Sequence, residues 1–324
     1  MKKALTIKYL FLFLLCANYT VSAQNVLPKD SVQVSEVFIS HEAGKVYGSL
    51  VVPQTDYNIP LVIFISGSGP TDRDGNQAAM ENDCFKLLAR ALADNEIANL
   101  RFDKRGIGAS SELTMAMEDM RFEHFVNDIS LWIKKYKKDS RFSKIIVMGH
   151  SLGSLMGMVA SRQNPPDAFI SLAGPGRSID ESIFMQLKKQ SPFIANGAKP
   201  ILDSLKAGLK VKEVHPFLQG ILPPHLHDYI ASVMQYNPAE ELAKLDIPTF
   251  IIQGQHDIQV TEEDYNLLLK AAPQSEYMLI DSMNHILKNA PADRMGNLAI
   301  YNNPDAPINK ELIKGITNFV LQLN

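Results

Sequence analysis

The pentapeptide Gly149-His150-Ser151-Leu152-Gly153 constrains this chain more than any other stretch. An apolar, β-branched run (KIIVM, 144–148) leads into it, and a helix-periodic run (LGSLMGMVASR, 152–162) leads out. A strand must therefore turn into a helix within one or two residues. G-x-S-x-G is a weak signal alone, but between a buried strand and a helix it is the sharp turn that lifts a serine hydroxyl clear of a sheet. Glycine is required on both flanks because larger side chains would clash across so tight a turn.

The same alternation runs through the chain. Residues 32–39 and 45–52 read as an antiparallel pair joined by a turn at Glu42-Ala43-Gly44. Residues 60–66 (PLVIFIS), 98–102, 144–148, 168–172, 249–253 and 277–280 read as strands buried on both faces. Helical periodicity marks 81–94, 124–138, 152–162, 262–271 and 310–323. This order predicts an α/β fold with a mostly parallel central sheet and helices on both faces. Residues 174–246 break the rhythm, with helical fragments and the proline breaks Pro192, Pro200 and Pro223-Pro224 but no strand. So long an interval between two buried strands predicts a helical cap, with the core formed by 24–173 and 247–324.

Residues 1–23 stand apart. Lys2 and Lys3 precede an apolar run over 9–15, and Val21-Ser22-Ala23 closes it with small residues at the positions a signal peptidase reads. The run is too short to span a bilayer, so the reading is a cleaved signal peptide and an exported, periplasmic or secreted protein. Lipoprotein anchoring through Cys16 is the weaker alternative, because Leu15 stands where a small residue is wanted. Cleavage after Ala23 removes three lysines and no acid from a chain of net charge −3. No basic patch then favours nucleic acid, and no stable membrane insertion is expected. Of the two cysteines only Cys84 would remain, so an intramolecular disulfide is excluded.

A serine hydroxyl attacks only when a base takes its proton, and that base needs a third group to orient it. Downstream of Ser151, Asp257 closes the strand and turn PTFIIQGQHD, and His285 follows the strand EYMLID. Both fall at C-terminal strand ends, where open α/β sheets place their sites. His285 is the last of eight histidines and the only one after Asp257. The catalytic candidates are Ser151, Asp257 and His285, with Asp180 as the competing acid. The oxyanion hole calls for two backbone N–H groups, assigned to Leu152 and to Ser68 in Ser66-Gly67-Ser68-Gly69. His150, beside the nucleophile, is the candidate substrate contact. Asp72-Arg73-Asp74-Gly75 reads as a turn bracing the oxyanion loop, and Asp103 with Arg105 as a structural ion pair. His215, His225 and His227 lack the spacing of a zinc site, so neither metal nor cofactor is expected.

The segments GSGPTDRDG (67–75), RFDKRGIGAS (101–110), GHSLG (149–153), LAGPG (172–176) and GQHD (254–257) resemble those of α/β-hydrolases, and more narrowly of a subgroup of exported bacterial serine esterases. The resemblance covers nearly all of the chain after residue 23. It implies the α/β-hydrolase fold, a helical cap, and hydrolysis of short-chain acyl esters, including those of acylated sugars. One departure is Ser66-Gly67 where many relatives of this type carry His-Gly. The expected partner is a small-molecule ester. A serine peptidase or aminopeptidase of the same fold is the first alternative, and a non-catalytic binding protein the second. Acetyl to butyryl esters are expected to react best, with activity falling by about eight carbons as the pocket fills.

Overall fold

The computed structural model describes residues 32–211 and 213–323. The expected signal peptide, 1–23, lies outside the described residues. Strands β1 (Val32–His41) and β2 (Gly44–Pro53) pair antiparallel, and β2 pairs antiparallel with β4 (Ala98–Phe102). Every later pairing is parallel: β4 with β3 (Ile59–Ile65), β3 with β5 (Phe142–His150), then β6 (Ala168–Leu172), β7 (Thr249–Gly254) and β8 (Glu276–Ile280) in turn. The eight strands lie in the order β1-β2-β4-β3-β5-β6-β7-β8.

Period-two alternation explains why the central strands are apolar throughout. Leu61, Ile63 and Ile65 of β3 enter one core with Phe122, Trp132 and Leu155, from α2 (Phe122–Tyr136) and α3 (Leu152–Gln163). Val62 and Phe64 enter the opposite core with Leu88 and Phe319, from α1 (Cys84–Ala93) and α11 (Lys310–Gln322). Helix α1 starts three residues later than its periodicity predicts. Asp83 takes a left-handed φ of 53°, and the Asn82 side chain accepts the Cys84 N–H at 3.0 Å, so the chain is still turning there.

Between β6 and β7 the described residues hold helices and no strand: α4 (Ile179–Gln190), α5 (Pro192–Lys206), α6 (Pro216–Gln219), α7 (His227–Val233) and α8 (Pro238–Ala243). Leu187, Ala198, Leu202, Leu218, Leu222 and Met234 form a third, separate apolar cluster there. Helix α7 is tied to α2 by the Phe122 N–H, which donates to Ser232 Oγ at 2.9 Å. Helix α8 instead packs into the core, where Leu242 joins the cluster of α2 and α3. Helices α9 (Glu262–Ala271) and α10 (Arg294–Ile300) follow β7 and β8. Among the described residues, no helix is long and apolar enough to cross a membrane.

Candidate active site

Strand β5 ends at His150 and α3 begins at Leu152, so Ser151 alone makes the turn. Its φ of 54° and ψ of −131° lie where a residue with a Cβ is strained, at a cost of about 1–3 kcal/mol. The surroundings hold it there. Its N–H donates to the Leu172 carbonyl at 3.0 Å, and its carbonyl accepts the Ser154 N–H at 2.9 Å. A Cβ on Gly149 would stand 2.3 Å from the Gly153 oxygen, and one on Gly153 would stand 2.4 Å from the Ile65 oxygen. Strand, turn and helix are pressed backbone to backbone, and the serine is what projects.

Asp257 and His285 arrive from the C-terminal ends of β7 and β8. His285 Nδ1 lies 2.7 Å from Asp257 Oδ2, and the aspartate side chain is fully buried. Three further donors reach that carboxylate: the Gln259 N–H at 2.7 Å, the Val260 N–H at 3.0 Å and Gln253 Nε2 at 3.3 Å. These donors satisfy the buried carboxylate oxygens away from water. The carboxylate also holds the histidine proton on Nδ1 and leaves Nε2 with a lone pair, the tautomer a general base needs. The competing acid is elsewhere: Asp180, in the first turn of α4, pairs with Lys206 Nζ at 2.7 Å.

His150 is not where a substrate contact should be. It is 8% exposed, and its Nε2 lies 2.8 Å from the His285 carbonyl oxygen, to which it donates. Its ring packs against those of Phe85, at 5.3 Å, and His285, at 4.6 Å. Burial, reinforced by His285, pushes its pKa from 6.5 down to about 3. From the end of β5 it backs the His285 turn and is not among the residues that line the cleft.

The two oxyanion candidates both border the cleft. Leu152 opens α3, where the first N–H groups have no partner within the helix. Ser68 sits on the loop after β3, and Gly67 before it lies so close to the serine that a Cβ there would stand 2.8 Å from Ser151 Cβ. Neither N–H is taken up by a turn, loop or side-chain hydrogen bond among the described residues.

The 72–75 stretch forms a turn, whereas the ion pair is arranged differently from the sequence reading. Asp72 Oδ1 accepts the Asp74 and Asn76 N–H groups at 2.9 and 2.8 Å, closing the turn on itself. Asp103 does not pair with Arg105. It accepts from Arg73, at 2.7 Å from the backbone N–H and 2.9 Å from Nε, whereas Arg105 makes a two-point pair with buried Asp128 at 2.8 and 2.6 Å. Residues two apart in this turn point to different neighbours, so the expected partnership fails. A residue that sequence reasoning passed over lies between them: Lys104 Nζ donates to the carbonyl oxygens of Gly67 and Gly69, the latter at 2.9 Å.

Ser151, Ser68 and Leu152 open onto a cavity of about 1080 Å³. Met120 and Met156 line it from the core side, Ile183 of α4 and Tyr229 of α7 from the other. Pockets of roughly 300–1,000 Å³ enclose drug-sized ligands, and this cavity is of that scale. His225 lines the same space, but His227 donates Nε2–H to the Leu222 carbonyl at 3.0 Å and His215 packs on Phe217 at 4.4 Å. Among the described residues, no group of three His, Cys, Asp or Glu side chains is arranged to hold a metal.

The strand order and this geometry agree with what the chain resembles. Esterase EstD of Thermotoga maritima is 29% identical over 260 residues, covering 76% of this chain. This chain spans only 60% of the length of that esterase. A probable aminopeptidase of Bacillus subtilis, YbaC, is 21% identical over 292 residues, 73% of this chain and 86% of the relative. Among solved structures, Est1E from Butyrivibrio proteoclasticus superposes with a TM-score of 0.55 at 15% identity, covering 89% of this chain and 99% of that one. The fold is that of the α/β-hydrolases. The family described as "Serine aminopeptidase, S33" (Hydrolase_4) matches residues 79–291, well over half of the sequence, and the chain belongs to that hydrolase family.

Proposed function

We propose that this chain hydrolyses carboxylic esters through Ser151, His285 and Asp257, with an acyl-enzyme on Ser151. The observation that carries the reading is the 2.7 Å contact of His285 with a fully buried Asp257, both delivered by strand ends to the sheet edge where Ser151 projects. His285 Nε2 takes the Ser151 hydroxyl proton as Oγ adds to the ester carbonyl. The Leu152 and Ser68 N–H groups receive the oxygen that gains the charge. Collapse expels the alcohol, which leaves with the proton from His285. Water, deprotonated by the same nitrogen, then releases the acid and restores the serine.

Ester rather than peptide chemistry is favoured by what the cleft offers. An aminopeptidase grips a terminal ammonium with a free carboxylate. The acids bordering this cavity, Glu263 and Asp264, are both engaged by Arg177, at 3.6 and 2.9 Å. The mostly apolar surface of the lining, to which Met117, Met120, Met156 and Met185 contribute, suits aliphatic or aryl arms better than sugars, and helices α4 and α7 act as the cap over it. The expectation of a short-chain limit accordingly gives way to tolerance of longer acyl groups. A p-nitrophenyl series from acetyl to decanoyl, run beside aminoacyl p-nitroanilides, tests this. The expected result is kcat/KM sustained from butyryl through octanoyl, with the anilides at least about 100-fold slower. Preferred turnover of the anilides would replace the ester reading by the peptidase one, and a collapse beyond butyryl would restore the short-chain limit.

A further inference from the structure

We propose that Lys104 is a positioning residue of the oxyanion hole: its ammonium holds the Gly67 and Gly69 carbonyl oxygens back from the cleft and thereby aims the Ser68 N–H at the substrate oxygen. The proposal rests on the ester-hydrolase reading above.

The topology makes this contact. Strands β3 and β4 are parallel neighbours, so the chain leaving β4 at Asp103-Lys104 passes directly beside the loop leaving β3. Lys104 is 5% exposed, and its Nζ donates to both glycine oxygens of that loop. No carboxylate among the described residues shares the charge, and burial alone lowers the lysine pKa to about 8. A buried ammonium that lacks an anion is costly, and a methionine could fill the same space without that cost. Such a group beside a cleft marks a site better than it marks packing.

Peptide geometry turns the contact into a function. The described backbone has no cis bonds, so the peptide joining Gly67 to Ser68 is trans. In a trans peptide the C=O and the N–H point in opposite directions. Fixing the Gly67 oxygen on Lys104 therefore fixes the direction of the Ser68 N–H. The remaining carbonyl of the loop, that of Ser68, accepts from Thr71 Oγ1 at 3.4 Å, and Thr71 Oγ1 is held in turn by Gln77 Nε2 at 2.8 Å. Three successive carbonyls are thus anchored while the Ser68 N–H between them stays free. Drawing electron density through the Gly67 carbonyl also strengthens that N–H as a donor. The hole is oriented before charge develops, and that is the condition under which such donors act most strongly.

The test compares wild type with Lys104→Met and Lys104→Gln on a p-nitrophenyl ester and a propyl trifluoromethyl ketone, whose adduct with a serine carries an oxyanion. With Lys104→Met, kcat should fall about 100-fold, near the lower end for loss of one oxyanion donor. KM should stay within about threefold, while ketone affinity falls in parallel with kcat. Lys104→Gln keeps an uncharged amide NH2 as donor and should fall between. A Lys104→Met enzyme with kcat within threefold of wild type, or one whose KM absorbs the whole loss, overturns the proposal. Should Lys104→Met fail to fold by circular dichroism, Lys104→Gln alone decides. If neither folds, Lys104 is structural and the proposal fails. A wild type that neither turns over esters nor takes the ketone refutes the ester-hydrolase reading and this proposal together. An active wild type with indifferent variants refutes only the role of Lys104.

Discussion

His150 and His285 pack ring to ring with centroids 4.6 Å apart, and His150 Nε2 donates to the His285 backbone oxygen at 2.8 Å. A neutral histidine thus stands behind the candidate base and anchors its main chain. Protonating it would place a charge on a buried ring packed against His285.

This relationship has a consequence for acid stability. The unfolded chain takes a proton on His150 near pH 6.5, whereas in the fold that site stays empty until about pH 3. Between these values the unfolded state binds more protons, so stability falls as pH falls through the window. Urea midpoints measured from pH 7 to 3.5 should drop more steeply for wild type than for His150→Asn. Parallel profiles would mean that His150 is protonated in the fold without strain.

The acid assignment is tested by a pair of substitutions. Asp257→Asn removes the charge that sets the His285 tautomer and should lower kcat by roughly four orders of magnitude, the loss seen when a triad aspartate is so changed. Asp180→Asn breaks only the ion pair with Lys206, whose side chain is half exposed, and should leave kcat within about twofold. A larger loss at Asp180 would move the role to that residue.

Much of this architecture is legible in the sequence, and the illegible parts share a cause. Runs such as residues 60–66 declare themselves because both faces of a central strand are covered, and all eight strands occur near their expected places. The strand-end placement of Ser151, Asp257 and His285 can be read because chain order preserves it. Lys104 cannot be read this way. Its partners are backbone oxygens 37 and 35 residues upstream, and a carbonyl has no sequence signature. Asp103 and Arg105 mislead for the opposite reason, since nearness in sequence stands in for a pairing that the fold gives to Arg73 and Asp128. The partner of His150 is likewise hidden, since it is the His285 backbone oxygen, 135 residues away. Cavity size depends on how α4 and α7 seat on the core, which local pattern does not encode.

The central claim is that Ser151 is the nucleophile, and mass spectrometry after reaction with a fluorophosphonate addresses it most directly. Wild type should gain one adduct, mapped by proteolysis to the peptide carrying Ser151. Ser151→Ala, with unchanged circular dichroism, should gain none and should lose at least about a thousandfold in kcat on any good ester. A wild type that stays unmodified, an adduct on another residue, or a Ser151→Ala enzyme with wild-type turnover would contradict it.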